Sequence, residues 1–142
     1  MGCESDLNTG VGYGSAVGGT LVYCYIHDNS SHGVNSGGGV VTAIGCIIDS
    51  NAGHGITTAA GGIIAISNTI YGQTGAGNDG LNATTPAAPA QNLVINNIFA
   101  SNASYGVEMT DSDNVVADYN DYFGNTTGAR NNFPTGTHDS TA

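Results

Sequence analysis

The sequence predicts an all-β chain wound as a solenoid of stacked parallel strands, in about six coils of about 22 residues each. Three observations carry that prediction. Two columns of small polar residues recur at a near-constant spacing, aliphatic residues alternate with period two around one of them, and the composition is poor in helix formers.

The columns emerge when five stretches are set under one another: "TLVYCYIHDNSSHGV", "TAIGCIIDSNAGHGI", "IAISNTIYGQTGAGNDGL", "LVINNIFASNASYGV" and "VVADYNDYFGNTTGAR". One column holds Cys24, Cys46, Asn68, Asn97 and Asn120, and five residues later a second holds Asn29, Asn51, Gln73, Asn102 and Asn125. The N-terminal stretch joins both through Cys3 and Asn8, giving second-column spacings of 21, 22, 22, 29 and 23. Four residues after the second column comes a glycine followed by an aliphatic or aromatic residue, at Gly12-Tyr13, Gly33-Val34, Gly55-Ile56 and Gly106-Val107. Gly80-Leu81 comes three residues late, and "NATTPAAPA" at 82–90 lengthens that coil to 29 residues. Insertions in solenoids map to one face, so 72–90 is the expected contact surface.

Around the first column, Val22, Ile44, Ile66 and Ile95 stand two residues before, and Ile26, Ile48, Ile70, Phe99 and Tyr122 two after. Period two means a strand with one buried face, and no helical period is sustained. Stacking parallel strands ~4.8 Å apart places equivalent residues above one another. Stacked asparagines can then bond amide to amide, so Asn8, Asn29, Asn51, Gln73, Asn102 and Asn125 are expected to form a structural ladder. The glycine after each ladder residue is expected to supply a backbone conformation that other residues resist. Cys3, Cys24 and Cys46 share the inward column that asparagine later fills, which predicts small core thiols rather than a disulfide.

Composition limits the partners. Charged residues make up 8% of the chain, Arg130 is its only Lys or Arg, and the formal net charge is −10. Phosphate neutralisation needs clustered basic residues, so nucleic acid and anionic membrane surfaces are excluded as partners. No apolar run approaches the ~20 residues of a membrane helix, and "MGCESDLNTG" lacks the basic start and apolar stretch of a signal peptide.

On these columns the chain resembles the right-handed parallel β-helix family, the pectate-lyase-like superfold, in the generic repeat form of extracellular and phage-borne proteins. The resemblance runs from Cys3 to about Asn125 and implies a single β-helix domain over 1–142. It implies an exported, cell-surface or virion location. It is specific for fold and not for activity, since the superfold hosts lyases, hydrolases, epimerases, tailspikes and adhesins.

Candidate chemistry is sparse, and no catalytic, cofactor or metal assignment follows from the sequence. "GHG" at 53–55 is similar to a short motif of polygalacturonases, yet the aspartates that accompany it in that family are missing. Its His54 is one occupant of a variable slot that reads His32, His54, Asp79 and Tyr105 in successive coils. Lyases of the superfold use an Arg or Lys base, for which this chain offers only Arg130, in its irregular last coil. His32, His54 and Asp79 would stack on neighbouring coils as a transition-metal candidate, and Asp111 and Asp113 in "TDSDN" have a spacing that calcium loops favour. Thr57-Thr58 and Thr84-Thr85 do not align across coils, which disfavours a flat threonine face for ice.

The reading is therefore a non-catalytic structural or glycan-contacting segment; the alternative is a polysaccharide lyase or glycoside hydrolase. Solenoid ends need polar caps. The expectation is self-association, end to end or as a trimer, or continuation into a longer chain.

Overall fold

The computed structural model describes residues 2–84 and 92–142. Its strands wind in order. The first coil holds β1 (Glu4–Asp6), β2 (Tyr13–Ser15) and β3 (Gly19–Val22), and the second β4 (Tyr25–His27), β5 (Val34–Ser36) and β6 (Val41–Ile44). The third holds β7 (Ile47–Asp49), β8 (Ile56–Thr58) and β9 (Ile63–Ile66), and the fourth β10 (Thr69–Tyr71), β11 (Leu81–Ala83) and β12 (Asn92–Ile95). The fifth holds β13 (Ile98–Ala100), β14 (Tyr105–Met109) and β15 (Val115–Asp118). The sixth holds β16 (Asp121–Phe123) and β17 (Gly128–Asn131), and β18 (Ser140–Thr141) begins a further turn.

Three all-parallel sheets result. The first takes β1, β4, β7, β10, β13, β16 and β18; the second β2, β5, β8, β11, β14 and β17; the third β3, β6, β9, β12 and β15. Every pairing joins one coil to the next, as in Ile26↔Ile48, Ile48↔Ile70 and Ile70↔Phe99. The core is this stacking repeated on three sides. Ile26, Ile48, Ile70 and Phe99 are wholly buried from the first sheet, Val34, Ile56, Leu81 and Val107 from the second, and Val41, Ile63 and Val94 from the third.

The polar columns sit at two corners of each coil. Asn29, Asn51, Gln73 and Asn102 are at most 2% exposed. Asn29 Nδ2 donates to Asn51 Oδ1 at 2.8 Å, Asn8 Nδ2 to Asn29 Oδ1 at 2.8 Å and Asn102 Nδ2 to Asn125 Oδ1 at 2.8 Å. At Gln73 the amide chain is interrupted, and backbone donors carry it, Asn51 N–H to Gln73 Oε1 and Gln73 N–H to Asn102 Oδ1. The first column forms a second ladder, with Asn68 Nδ2 donating to Asn97 Oδ1 and Asn97 Nδ2 to Asn120 Oδ1, both at 3.0 Å.

Three expectations are corrected. First, the strand read through the first column is two strands on different sheets. The residue before each column member turns the chain with left-handed φ: Tyr23, Gly45, Ser67, Asn96 and Tyr119 before one column, Leu7, Asp28, Ser50, Gly72, Ser101 and Gly124 before the other. Hence Ile44 and Ile66 face outward, half-buried, while Ile48 and Ile70 face in. Second, Cys3 and Cys24 form a disulfide and only Cys46 is a free, buried thiol. Column neighbours one coil apart have a Cα separation of 4.5 Å, within bridging distance, so stacking brings about the pairing that the column was taken to exclude. Third, Gly33 and Gly55 are required by close approach rather than by φ. A Cβ on Gly55 would lie 2.5 Å from the Gly80 carbonyl oxygen, and one on Gly33 2.7 Å from that of Gly55.

Candidate functional site

The outward face of the second sheet gathers three of the six polar candidates, His32, His54 and Asp79. The slot residue before each turn glycine has a backbone N–H that points along the stack, and the side chain one coil below accepts it. His54 N–H donates to His32 Nδ1 at 3.0 Å, Asp79 N–H to His54 Nδ1 at 2.9 Å and Tyr105 N–H to Asp79 Oδ1 at 2.9 Å. The slot therefore selects acceptors, and "GHG" is explained by it. His32 and His54 stack with ring centroids 5.3 Å apart and planes 4° apart. Burial pushes both imidazoles down, His54 to about 4, where repulsion from His32 adds to burial and the Glu108 charge opposes it. The accepting Nδ1 atoms fix the neutral Nε2–H tautomer, so neither histidine has an Nδ1 lone pair to give a metal.

Two residues beyond each turn glycine, whose place Ala129 takes in the sixth coil, a second outward column reads Asn35, Thr57, Asn82, Glu108 and Asn131 in strand register. Asn82 Nδ2 donates to Asp79 Oδ2 at 2.8 Å and to Glu108 Oε2 at 3.3 Å, and Asn131 Nδ2 donates to Glu108 Oε1 at 2.7 Å. Asp79 is completely buried, and its Oδ2 also lies 3.4 Å from His54 Nδ1. Because that nitrogen already accepts the Asp79 N–H, the contact is a close approach between two acceptors while the ring is neutral. Two carboxylates, two amides and an imidazole thus form one fixed patch across coils three to six.

Sequence reasoning singled out Asp79 and His54 but missed Asn82, Glu108 and Asn131. Their signal was present in the residue two after each turn glycine, a column read only as far as its apolar member. The expected contact surface at 72–90 contributes Asp79 and Asn82, and 85–91, which include Thr85, lie outside the described residues.

The other candidates lie elsewhere. Arg130 occupies an inward position in register with Val107, its guanidinium carbon 5.2 Å from the centre of the Tyr122 ring and Nη1 3.8 Å from Asp139 Oδ2. It covers the end of the core instead of facing the polar patch. Asp111 and Asp113 form a local turn, Asp113 N–H donating to Asp111 Oδ1 at 2.9 Å, on an exposed connection between β14 and β15. Among the described residues, no helix is long and apolar enough to cross a membrane.

The model of the right-handed β-helix region family matches residues 3–138, and this chain belongs to that family. No curated protein and no solved structure matches it.

Proposed function

We propose that this chain is a non-catalytic β-helix segment that contacts neutral glycans through the outward face of its second sheet, within an exported, cell-surface or phage-particle protein. The observation that carries the reading is the Asp79–Asn82–Glu108–Asn131 network. Buried Asp79 and Asn82 hold the half-buried Glu108 beside the exposed Asn131, so one fixed carboxylate and one fixed amide on neighbouring coils offer an acceptor and a donor to vicinal hydroxyls, at little ordering cost on binding. A formal net charge of −10 repels acidic sugars, which favours neutral ones. General acid–base work needs a group free to exchange a proton with substrate. His54 Nδ1 and both Asp79 oxygens are instead engaged by the scaffold. The Cys3–Cys24 disulfide supports an oxidising, exported setting. Self-association, end to end or as a trimer, belongs to the same proposal and is read by light scattering across concentration.

The test is a glycan array probed with calcium and with chelator, using the parent and Glu108→Ala. Binding of neutral glycans in both conditions, lost in Glu108→Ala, is the expected result. Silence on every glycan removes the contacting role and leaves the structural one. Release of reducing ends that disappears in Glu108→Gln would instead place the chain among the hydrolases or lyases.

A further inference from the structure

We infer that the outward face of the first sheet, at the junction of the first two coils, binds a divalent transition-metal cation through Glu4, Asp6 and His27. These residues come together by register. β1 pairs with β4 as Glu4↔Tyr25, Ser5↔Ile26 and Asp6↔His27, and Ile26 is wholly buried, so the flanking residues share the outer face. One ligand atom from each of Glu4, Asp6 and His27 lies within 4.8 Å of the other two.

The imidazole is held for the task. His27 stacks on Tyr25 with centroids 3.9 Å apart, its Nδ1 lies 2.8 Å from Asp28 Oδ2, and its Nε2 lies 3.2 Å from Glu4 Oε1. A carboxylate on the far nitrogen is how ligand imidazoles are commonly fixed in tautomer and direction. The Cys3–Cys24 disulfide immediately precedes both strands and ties their spacing.

A second observation points to a cation independently of that geometry. Asp49 sits directly above His27 in the register, on the same face. It is 6% exposed; its Oδ2 accepts from the Ser50 hydroxyl at 3.1 Å, while its Oδ1 is buried without a hydrogen bond. Two phenols stand against this carboxylate: Asp49 pushes Tyr71 up, and it adds to the upward push that burial gives Tyr25. A buried carboxylate oxygen without a donor is costly unless a positive charge stands nearby. The chain's only Lys or Arg, Arg130, is committed to Asp139 in the last coil. Glu4, Asp6, Asp28 and Asp49 therefore surround a single imidazole, a concentration of negative charge that a dication would balance. One nitrogen and two carboxylate ligands suit Zn²⁺ or Co²⁺ better than calcium, which prefers oxygen alone. Glu4 is 65% exposed at its side chain, which leaves room for water in the remaining coordination positions.

The experiment titrates the whole chain with Co²⁺, read by its visible absorption, and with Zn²⁺ by calorimetry, alongside Asp6→Asn, His27→Asn and His54→Gln. One equivalent should bind, with a nitrogen–oxygen Co²⁺ spectrum. Asp6→Asn and His27→Asn should each weaken binding by about tenfold or more, while His54→Gln leaves it unchanged. Asp6 is exposed, so Asp6→Asn reports even if His27→Asn fails to fold. No saturable binding by the parent, or equal binding by parent and Asp6→Asn, overturns the inference. So does calcium binding tighter than Zn²⁺ that survives His27→Asn, because the imidazole would then play no part.

Discussion

Replacing Asn51 by leucine tests the ladder at its centre. Asn51 is wholly buried; its Oδ1 accepts the Asn29 N–H at 3.2 Å and the Asn29 Nδ2 at 2.8 Å, and its Nδ2 donates to the Ile26 carbonyl at 3.3 Å. Leucine leaves two buried donors and one acceptor without this partner. At roughly 1–3 kcal/mol for each of these three groups, the gross cost is on the order of 3–9 kcal/mol. Burying the isobutyl group returns about 2 kcal/mol, for a net loss of about 1–7 kcal/mol. Asn8 provides the contrast. It is exposed at the end of the same ladder, and Asn29 Oδ1 would keep the residue-8 N–H after Asn8→Leu, so that change should cost under about 1 kcal/mol. The assay is urea unfolding followed by circular dichroism, with exposed Ser112→Ala as control. Equal losses for Asn51→Leu, Asn8→Leu and the control would refute the reasoning, since the effect must follow the hydrogen bonds and not the residue type.

Acid should weaken the fold through His54. Its folded value of about 4 lies below the ordinary 6.5, so its contribution is complete above about pH 6.5 and is lost as pH falls toward 4, up to about 3 kcal/mol. His54→Gln, neutral throughout, should flatten that part of the stability profile, and an unchanged acid slope would count against it. Reducing the chain, or Cys3→Ser, opens a bridge of sequence separation 21 and should cost about 3 kcal/mol in the same urea assay. A reduced chain as stable as the oxidised one would refute this. Leu7 is 76% exposed and holds φ 52, so Leu7→Asn should raise stability by about 0.5–1 kcal/mol while Val17→Asn, also exposed, does not.

What was legible in the sequence was whatever repeats with its identity. Asn29, Asn51 and Asn102 recur as asparagine because their amides must face one another, and Gly33, Gly55 and Gly80 recur because a neighbouring carbonyl leaves no room for a Cβ. What repeats in conformation alone was hidden. The corner positions hold Tyr23, Gly45, Ser67, Asn96 and Tyr119, residues with little in common except the left-handed turn that coil closure imposes on them. Strand pairing across the corner was therefore read as one continuous strand. The disulfide was missed for a related reason: column identity argued for similar environments, whereas pairing depends on the distance between coils. Glu108 and Asn82 were missed because their column varies in residue type, reading Asn35, Thr57, Asn82, Glu108 and Asn131, and so shows no repeat of identity. The metal cluster was invisible for another reason, since Asp6 and His27 are adjacent only through the β1–β4 register.

The two ladders end differently, and the difference explains the role of the last residues. Each ladder runs in one direction, the backbone N–H of each member from Asn8 and from Cys46 donating to the side-chain oxygen one coil further on, so the final member needs an acceptor and need offer no donor. Asp139 fits that requirement: its Oδ1 accepts both Asn120 N–H at 2.8 Å and Asn120 Nδ2 at 3.3 Å. Its Oδ2 accepts the Gly136 N–H at 2.9 Å and faces Arg130, which in turn lies over the Tyr122 ring. A carboxylate is an acceptor only, so it closes a chain of donors without leaving one of its own unpaired. The chain's single arginine is thus placed where a buried carboxylate ends a ladder, and its charge offsets part of the cost of taking that carboxylate from water, a cost that the neutral amides elsewhere do not incur.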